Sequence, residues 1–403
     1  VGWSAYLGSP PGADQVANAA QALSQGATEQ ASSIEELSAS INEVTEDVAS
    51  KITDIPNEAF DDYWKINFQW KYSSFDQDRV DSLKKTYFEI SPFDIFDNNK
   101  VIRAMSSQKI LSKDKKIALA NIKMRSEDIE SSFRNKANIN KERREQLFKL
   151  MNEVEREDAD IFVLPEVSIP CEWITLLSHQ SKKSNKCIIA GLEHWVNDAK
   201  IAFNLMAVIL PIDKGSYRTN VINLRLKNHY SPEENRLLKG NGLVLPRDLS
   251  KEYKKVYTLF NWRGVYFSTY NCFELADIHD RAIFKSKVDF IVASEYNRDI
   301  YYFSDIAGSW VRDLHCYFIQ VNSSDFGDSR ILQPSSSINR NILQIKGGDN
   351  SSIIVGKLKI GNLREFQRKD HYLQKEDGSF KPTPPDFDVE NVEKRINNQL
   401  FKV

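Results

Sequence analysis

From Lys116 to Asn322, short apolar runs alternate with charged segments of helical period. This alternation restricts the fold more than any other feature, because strands interleaved with amphipathic helices can bury both surfaces only in an α/β layer arrangement. Strands are expected at Ile117–Ile122, Ile161–Leu164, Cys187–Leu192, Asn204–Leu210, Tyr217–Leu226, Gly264–Asn271, Asp289–Ala293 and Cys316–Asn322. Helices are expected at Lys141–Arg156, Trp173–Ser184, Glu274–Lys287 and Tyr302–Leu314. In the first of these, Leu147, Leu150 and Val154 fall on one stripe. Asn204–Leu210 and Tyr217–Leu226 read as a β-hairpin, which interrupts a pure βαβ repeat.

Composition sets the outer limits. The chain has 403 residues, room for two or three units or for one large α/β unit with appendages. Hydrophobic residues make up 41% and charged residues 27%, enough to build a substantial core. Lys and Arg total 54 against 56 Asp and Glu, so no global field would gather nucleic acid or anionic lipid. The charged stretches Lys109–Lys116 and Arg364–Lys381 read as solvated faces, and neither nucleic acid nor membrane is expected as a partner. No apolar run approaches the roughly 18 residues of a membrane span. Starting at Val1 with no charged-then-apolar leader, the chain reads as a fragment or processed product. Cys171, Cys187, Cys272 and Cys316 have neither zinc-site spacing nor disulfide density, which suits a reducing, cytoplasmic setting.

Four zones follow one another. Residues 1–55 hold a linker, Gly8-Ser9-Pro10-Pro11-Gly12, and then a helix with Val16, Ala20, Leu23, Ala27, Ile34, Leu37, Ile41 and Val44 at coiled-coil steps. Its run Ala31-Ser32-Ser33-Ile34-Glu35-Glu36-Leu37-Ser38-Ala39-Ser40 resembles the methylation segment of methyl-accepting chemotaxis receptors, which implies Glu35 and Glu36 as methyl acceptors. An oligomerising or fused helix is the plainer alternative. Residues 56–115 read as a connector of short helices and loops, 116–365 as the α/β domain, and 366–403 as a tail. Within the tail Lys381-Pro382-Thr383-Pro384-Pro385 reads as an extended run, and what remains of the tail is expected to dock on a second subunit.

Sites in open α/β sheets gather at the carboxyl ends of strands. Glu166 follows Ile161-Phe162-Val163-Leu164-Pro165, Lys227 follows the strand ending at Leu226, and Cys272 follows the one ending at Asn271. These are the parts of a thiol nucleophile site. A thiol with pKa near ~8.5 needs a base or a positive neighbour in order to attack. Glu166 can take its proton and pass it to a departing amine. Lys227 and the backbone N–H of Phe273 can steady the oxyanion of a tetrahedral intermediate. Together they describe acyl transfer from an amide through a thioester.

At these positions residues 116–335 resemble the nitrilase, or carbon–nitrogen hydrolase, superfamily, which uses Glu, Lys and Cys in that chain order. The matching pieces are Ile161 to Glu166, Arg225-Leu226-Lys227-Asn228-His229, and Gly264 through Asn271-Cys272-Phe273-Glu274. Val321-Asn322-Ser323 and Gly327-Asp328-Ser329-Arg330-Ile331 match two further motifs. The resemblance implies a four-layer α-β-β-α sandwich, here with the coiled-coil-like N-terminal extension, and a homo-oligomer. It also implies a second, substrate-positioning Glu after the Lys, for which Glu234 stands first and Glu233 beside it. His229 and Glu274 are supporting candidates. Where relatives carry Arg four residues after the Cys and then Pro-Glu, this chain has Ala276, Ile278 and His279, with Arg281 later.

The remaining signals are bland. Cys171, Cys187 and Cys316 read as small core residues. Six scattered histidines point to no metal site, and Gly240-Asn241-Gly242 alone to no nucleotide, so no cofactor is expected. The reading is a hydrolase of a small-molecule amide. Two alternatives stand beside it. One is an interaction or regulatory module, such as the nitrilase-like domains appended to reverse transcriptases of phage defence. The other is a receptor-type coiled-coil signalling fragment.

Overall fold

In the computed structural model the described residues are 114–399, except 198, 215–216 and 250–254, together with the backbone of strands at 95–97 and 100–106. The segment 1–55, with its coiled-coil and receptor-like readings, lies outside them. The strands are β1 Ile95–Asp97, β2 Lys100–Ser106, β3 Lys115–Asn121, β4 Ile161–Val163, β5 Cys187–Gly191, β6 Trp195–Val196, β7 Ala202–Phe203 and β8 Leu205–Lys214. They continue as β9 Tyr217–Leu226, β10 Lys255–Trp262, β11 Val265–Asn271, β12 Phe290–Ser294, β13 Tyr317–Val321, β14 Ser329–Leu332, β15 Asn341–Ile345 and β16 Ser352–Leu358. The helices are α1 Ser126–Ser132, α2 Lys141–Arg156, α3 Ile174–Ser184, α4 Pro232–Gly240, α5 Ile278–Ala282, α6 Ile300–Leu314, α7 Ile360–Gln367, α8 His371–Asp377 and α9 Val389–Ile396.

Two mixed sheets carry the architecture. One runs β1-β2-β10-β11-β12-β13-β14-β15, the other β16-β3-β4-β5-β8-β9. Side chains on a strand alternate between faces, and here both faces are apolar. Ile117, Ile161, Cys187, Met206 and Val208 of the second sheet meet Phe260, Phe267, Phe290, Val292 and Ile319 of the first in one inter-sheet core. Phe267 stacks between Phe260 and Phe290, each pair with centroids 4.9 Å apart. The alternate residues Tyr270, Ile291, Ala293 and Phe318 face outward and are covered by Phe303, Ala307, Trp310 and Val311 of α6. On the far side α2 packs against β16, and α3 against β8 and β9. The layers therefore run α-β-β-α, as expected from the sequence.

The register places the site. β3, β4 and β5 are parallel, while β8 and β9 reverse direction twice. The carboxyl ends of β4 and β9 and the amino end of β8 consequently lie along one edge of their sheet. β11 runs parallel to β12 and β13. The hydroxyl of Ser294, at the end of β12, donates to the Leu164 carbonyl at 2.8 Å and ties the two sheets together beside Glu166.

Three expectations need correction. Zone 56–115 is not only helix and loop: β2 pairs in parallel with β10, a strand that the sequence reading passed over. Such pairing is non-local, and polar Thr258 and Asn261 interrupt the apolar run of β10. The helix expected over Glu274–Lys287 is instead a short 3₁₀ turn, Cys272–Ala276, followed by α5. It breaks because the Asp277 carboxylate accepts from the N–H groups of His279 and Asp280 and so starts a new helix.

Third, the charged C-terminal region is not uniformly solvated. Arg364 of α7 and Arg395 of α9 are buried on Asp289, the residue before β12, at 2.5 Å each. Asp289 also accepts from the Tyr266 N–H at 2.7 Å. Helices α7 and α9 of the C-terminal region thus pack on their own domain. Lys115, at the start of β3, is buried as well.

Burial would raise the Asp289 carboxyl, but the two guanidinium groups overrule it and hold it below the usual aspartate range. Because the folded pKa is depressed, its stabilisation is complete above about pH 4 and fades as pH falls. Asp289→Asn leaves two buried guanidinium groups facing a neutral amide. We expect it to cost about 3–5 kcal/mol of unfolding free energy, measured by denaturant titration at neutral pH.

Candidate active site

Glu166 sits one residue past Pro165, in the turn that follows β4. Val167 then takes a left-handed φ of 49°, uncommon for any side chain and strained for a β-branched one. The end of β5 lies so close that a Cβ on Gly191 would fall 2.3 Å from the Glu166 Cα, so only glycine fits there. Cys272, the first residue after β11, also has a left-handed φ, 45°. Strained non-glycine residues concentrate at functional sites, and here two border the same edge.

Side chains from four elements converge on Lys227. Its ammonium donates to Glu166 Oε1 at 2.7 Å and to Glu234 Oε2 at 2.5 Å. Glu234 arrives on α4, whose start is capped by the Ser231 hydroxyl accepting from the Glu234 N–H. Asn204, just before β8, donates to both carboxylates, at 2.9 Å to Glu166 and 2.7 Å to Glu234. The Asn271 amide lies 2.9 Å from Asn204. Tyr296 joins acid to thiol: its N–H donates to Glu166 Oε2 at 3.1 Å, and its carbonyl stands 4.0 Å from the Cys272 Sγ. Asn322 grips the same loop, accepting from the Asn297 N–H and donating to the Asn297 carbonyl.

Electrostatics follow from this packing. Burial alone would lower the Lys227 ammonium, but Glu166 and Glu234 hold it well above its ordinary value, so it stays charged. Glu234 is driven the other way: burial opposes its charge, yet Lys227 and His194 keep it ionised. Burial pushes the Cys272 thiol well up, the Glu166 carboxylate adds to that, and Lys227 partly offsets both. The resting sulfur is therefore a thiol that needs a base.

The other sequence candidates divide. Glu274 is fully buried in a two-bond pair with Arg225, both contacts 2.7 Å. It also accepts from the N–H of Asn228, which follows Lys227, and from the N–H of Asn271, which precedes Cys272. One carboxylate thereby fixes the two turns against each other. The Phe273 backbone stays in the Cys272 turn, while its ring packs on the outer core. Glu233 is a correction: it faces solvent and pairs with Arg236, because the helical turn that aims Glu234 inward aims its neighbour out. His229 is another. It turns away to Asp277 and Asp280, at 3.1 and 3.0 Å. That trio has metal-ligand chemistry, but the Lys255 ammonium shares the same two oxygens at 3.2 and 3.3 Å. The cluster is an ion-pair network.

Sequence reading missed Asn204, His194 and Glu295. His194 Nε2 lies 3.3 Å from Glu234 Oε1. Glu295 is fully buried at the end of β12, with both oxygens accepting from Gln320, and burial pushes it up to about 8. The strand-end rule that found Glu166 would have found Glu295. Nothing local marks Asn204, which matters only because β8 is antiparallel.

No protein-family model matches this sequence, and no curated protein matches it. Among solved structures, the chain is similar to a CN-hydrolase superfamily protein from Xanthomonas campestris, at 13% identity over 63% of this chain and 94% of that one, TM-score 0.46. It is similar to a branch 10 nitrilase-superfamily member from Saccharomyces cerevisiae, at 15% identity over 65% and 96%, TM-score 0.46. An amidase from Nesterenkonia sp. gives 12% identity over 67% and 99%, TM-score 0.44. The site is therefore read from its own geometry. No described helix is long and apolar enough to cross a membrane.

Because Cys272 is held up by burial and by Glu166, its alkylation by iodoacetamide should keep rising with pH beyond the ordinary cysteine range. Glu166→Gln removes the negative neighbour and should move that profile to lower pH. Mass spectrometry of the Cys272 peptide checks both.

Proposed function

We propose that this protein is a carbon–nitrogen hydrolase of the nitrilase type, cleaving a small non-peptide amide through a thioester on Cys272. The observation that carries the reading is Lys227 bridging Glu166 and Glu234 at a strand edge where Cys272 feels the charge of both Glu166 and Lys227. A charged ammonium, a carboxylate and a protonated thiol in one buried place have few other joint uses.

The chemistry runs in two halves. Glu166 takes the Sγ proton as the sulfur attacks the substrate carbonyl carbon, and the carbonyl π electrons move to oxygen. That oxyanion is met by the Lys227 ammonium and the Phe273 N–H, groups already fixed before the charge develops. Collapse of the intermediate breaks the C–N bond, and the Glu166 carboxyl gives its proton to the departing amine. Glu166 then deprotonates a water, which attacks the thioester; collapse breaks the C–S bond, and the Glu166 carboxyl returns its proton to the departing sulfur as the acid leaves. Glu234, with Asn204, keeps Lys227 in place and borders the substrate. With Cys272 only 8% exposed, access suits a small acyl group.

Cys272→Ala should abolish turnover across a panel of small amides and ureas while leaving the unfolding transition in place. With the parent enzyme, mass spectrometry of the quenched reaction should show an acyl mass on the Cys272 peptide. Glu166→Gln and Lys227→Met should each lose about 10²–10³ in kcat, about 2.7–4 kcal/mol of barrier. Turnover by Cys272→Ala at the parent rate would sink the mechanism. An electrophile that does not select Cys272 over the other three thiols, with no turnover by the parent, would favour the appended interaction module instead.

A further inference from the structure

One peptide joins the two reacting groups without belonging to either. Tyr296 gives its N–H to Glu166 Oε2 at 3.1 Å and presents its carbonyl to the Cys272 Sγ at 4.0 Å. It lies just past the end of β12 at Ser294, so its neighbours decide where that peptide stands. On one side Asn322 holds Asn297 by both backbone groups. On the other is Glu295, fully buried, whose N–H donates to the Val321 carbonyl at 2.8 Å.

The Glu295 side chain ends a row of polar groups that crosses three strands. Gln320 Nε2 of β13 donates to both of its oxygens, at 2.9 and 3.0 Å. Gln320 Oε1 accepts from Arg330 Nε of β14 at 2.8 Å, which fixes the amide with its nitrogen toward Glu295. Arg330 stands opposite Gln320 in that ladder and also donates to Asp328 at 2.5 Å and to Ser304 of α6 at 2.8 Å. Among the described residues no ion pair reaches Glu295. Arg330 acts on it only across the Gln320 amide and is itself matched by Asp328. An interstrand tie explains a polar residue here, since Gln320 needs an acceptor. It does not explain an acid: a neutral amide could accept the same hydrogen bond, and a buried charge without a partner is costly.

We propose that Glu295 is a positioning residue of the site, placed behind the Tyr296 peptide, whose gain or loss of a proton governs how readily the Cys272 thiol ionises. Its meaning for turnover rests on the hydrolase reading. Burial pushes Glu295 up to about 8, with Gln320, Arg330 and Asn297 opposing and Glu166 reinforcing. It is therefore mostly neutral at pH 7 and a carboxylate above about pH 8. As a carboxylate it joins burial and Glu166 in holding the Cys272 thiol up, against Lys227. Lys227 and Glu234 keep their charges across this range. Once Glu295 has ionised, the Sγ proton passes to Glu166 against one further negative charge beside the developing thiolate.

The test is the rate of Cys272 alkylation by iodoacetamide in the full chain from pH 6 to pH 10, read by mass spectrometry of the Cys272 peptide. In the parent the rise with pH should slacken near pH 8. Glu295→Gln should match the parent below pH 7 and lose the slackening. At pH 9.5 it should alkylate about three- to tenfold faster, the effect of removing one charge across a partly screened site. A merely structural role would change the rate by the same factor at every pH. That result, or profiles that superimpose, would overturn the inference. Gln320→Met removes the hydrogen bonds that favour the charged form of Glu295, so it should move the slackening to higher pH. Should Glu295→Gln fail to fold, Gln320→Met decides, and an unmoved profile sinks the proposal. Alkylation needs no substrate, so failure of the hydrolase reading, seen as turnover by Cys272→Ala, is a separate outcome from failure at Glu295.

Discussion

Lys227 carries a full charge in a place that admits almost no water, and that single fact constrains the rest of the molecule. Stripping an ammonium of water costs several kcal/mol unless opposite charge stands at contact distance. Here it takes Glu166 from the end of β4, Glu234 from α4 and the bridging amide of Asn204 before β8. These groups meet only if β4, β8 and β9 hold their register to the residue. A slip of one position would turn every side chain of a strand to the opposite face.

The opposite edge of the sandwich repeats the device with the signs exchanged. Just before β12, Asp289 is a buried carboxylate between Arg364 and Arg395, where Lys227 is a buried ammonium between two carboxylates. Between the two ionic edges lies a largely apolar inter-sheet core, which gives little register information beyond face and volume. The ion groups supply it. Glu274 adds a third clamp by fastening the turns that carry Lys227 and Cys272. The left-handed residues Val167 and Cys272 persist because such clamps over-determine them.

The charges around Lys227 also extend outward. Glu234 is shared between Lys227 and His194, and His194 borders a cleft whose lining carries carboxylates and no cation. Hydrogen bonds run from Glu166 through Lys227 and Glu234 to His194 at the border of that cleft. Glu234 is held from two sides, by His194 at one oxygen and by Lys227 at the other.

By itself the sequence determined the layer class and the three strand-end groups. Period-two apolar runs, and reactive residues placed just after them, are local properties that survive without a third dimension. Helix α2 was legible to the residue because Asn140 caps it and Leu147, Leu150 and Val154 stripe it. Only the tertiary structure decided what these groups face. Asn204 joins the site through an antiparallel register, Glu233 leaves it through the rotation of one helical residue, and His229 turns to a carboxylate pair 48 to 51 positions away. The burial of Arg364 and Arg395 was equally hidden, since a charged residue in a polar stretch reads as solvated until a distant Asp289 is found beneath it. Pairing between residues far apart in the chain has no local signature, and in this protein that pairing sets both the ionic edges and the site.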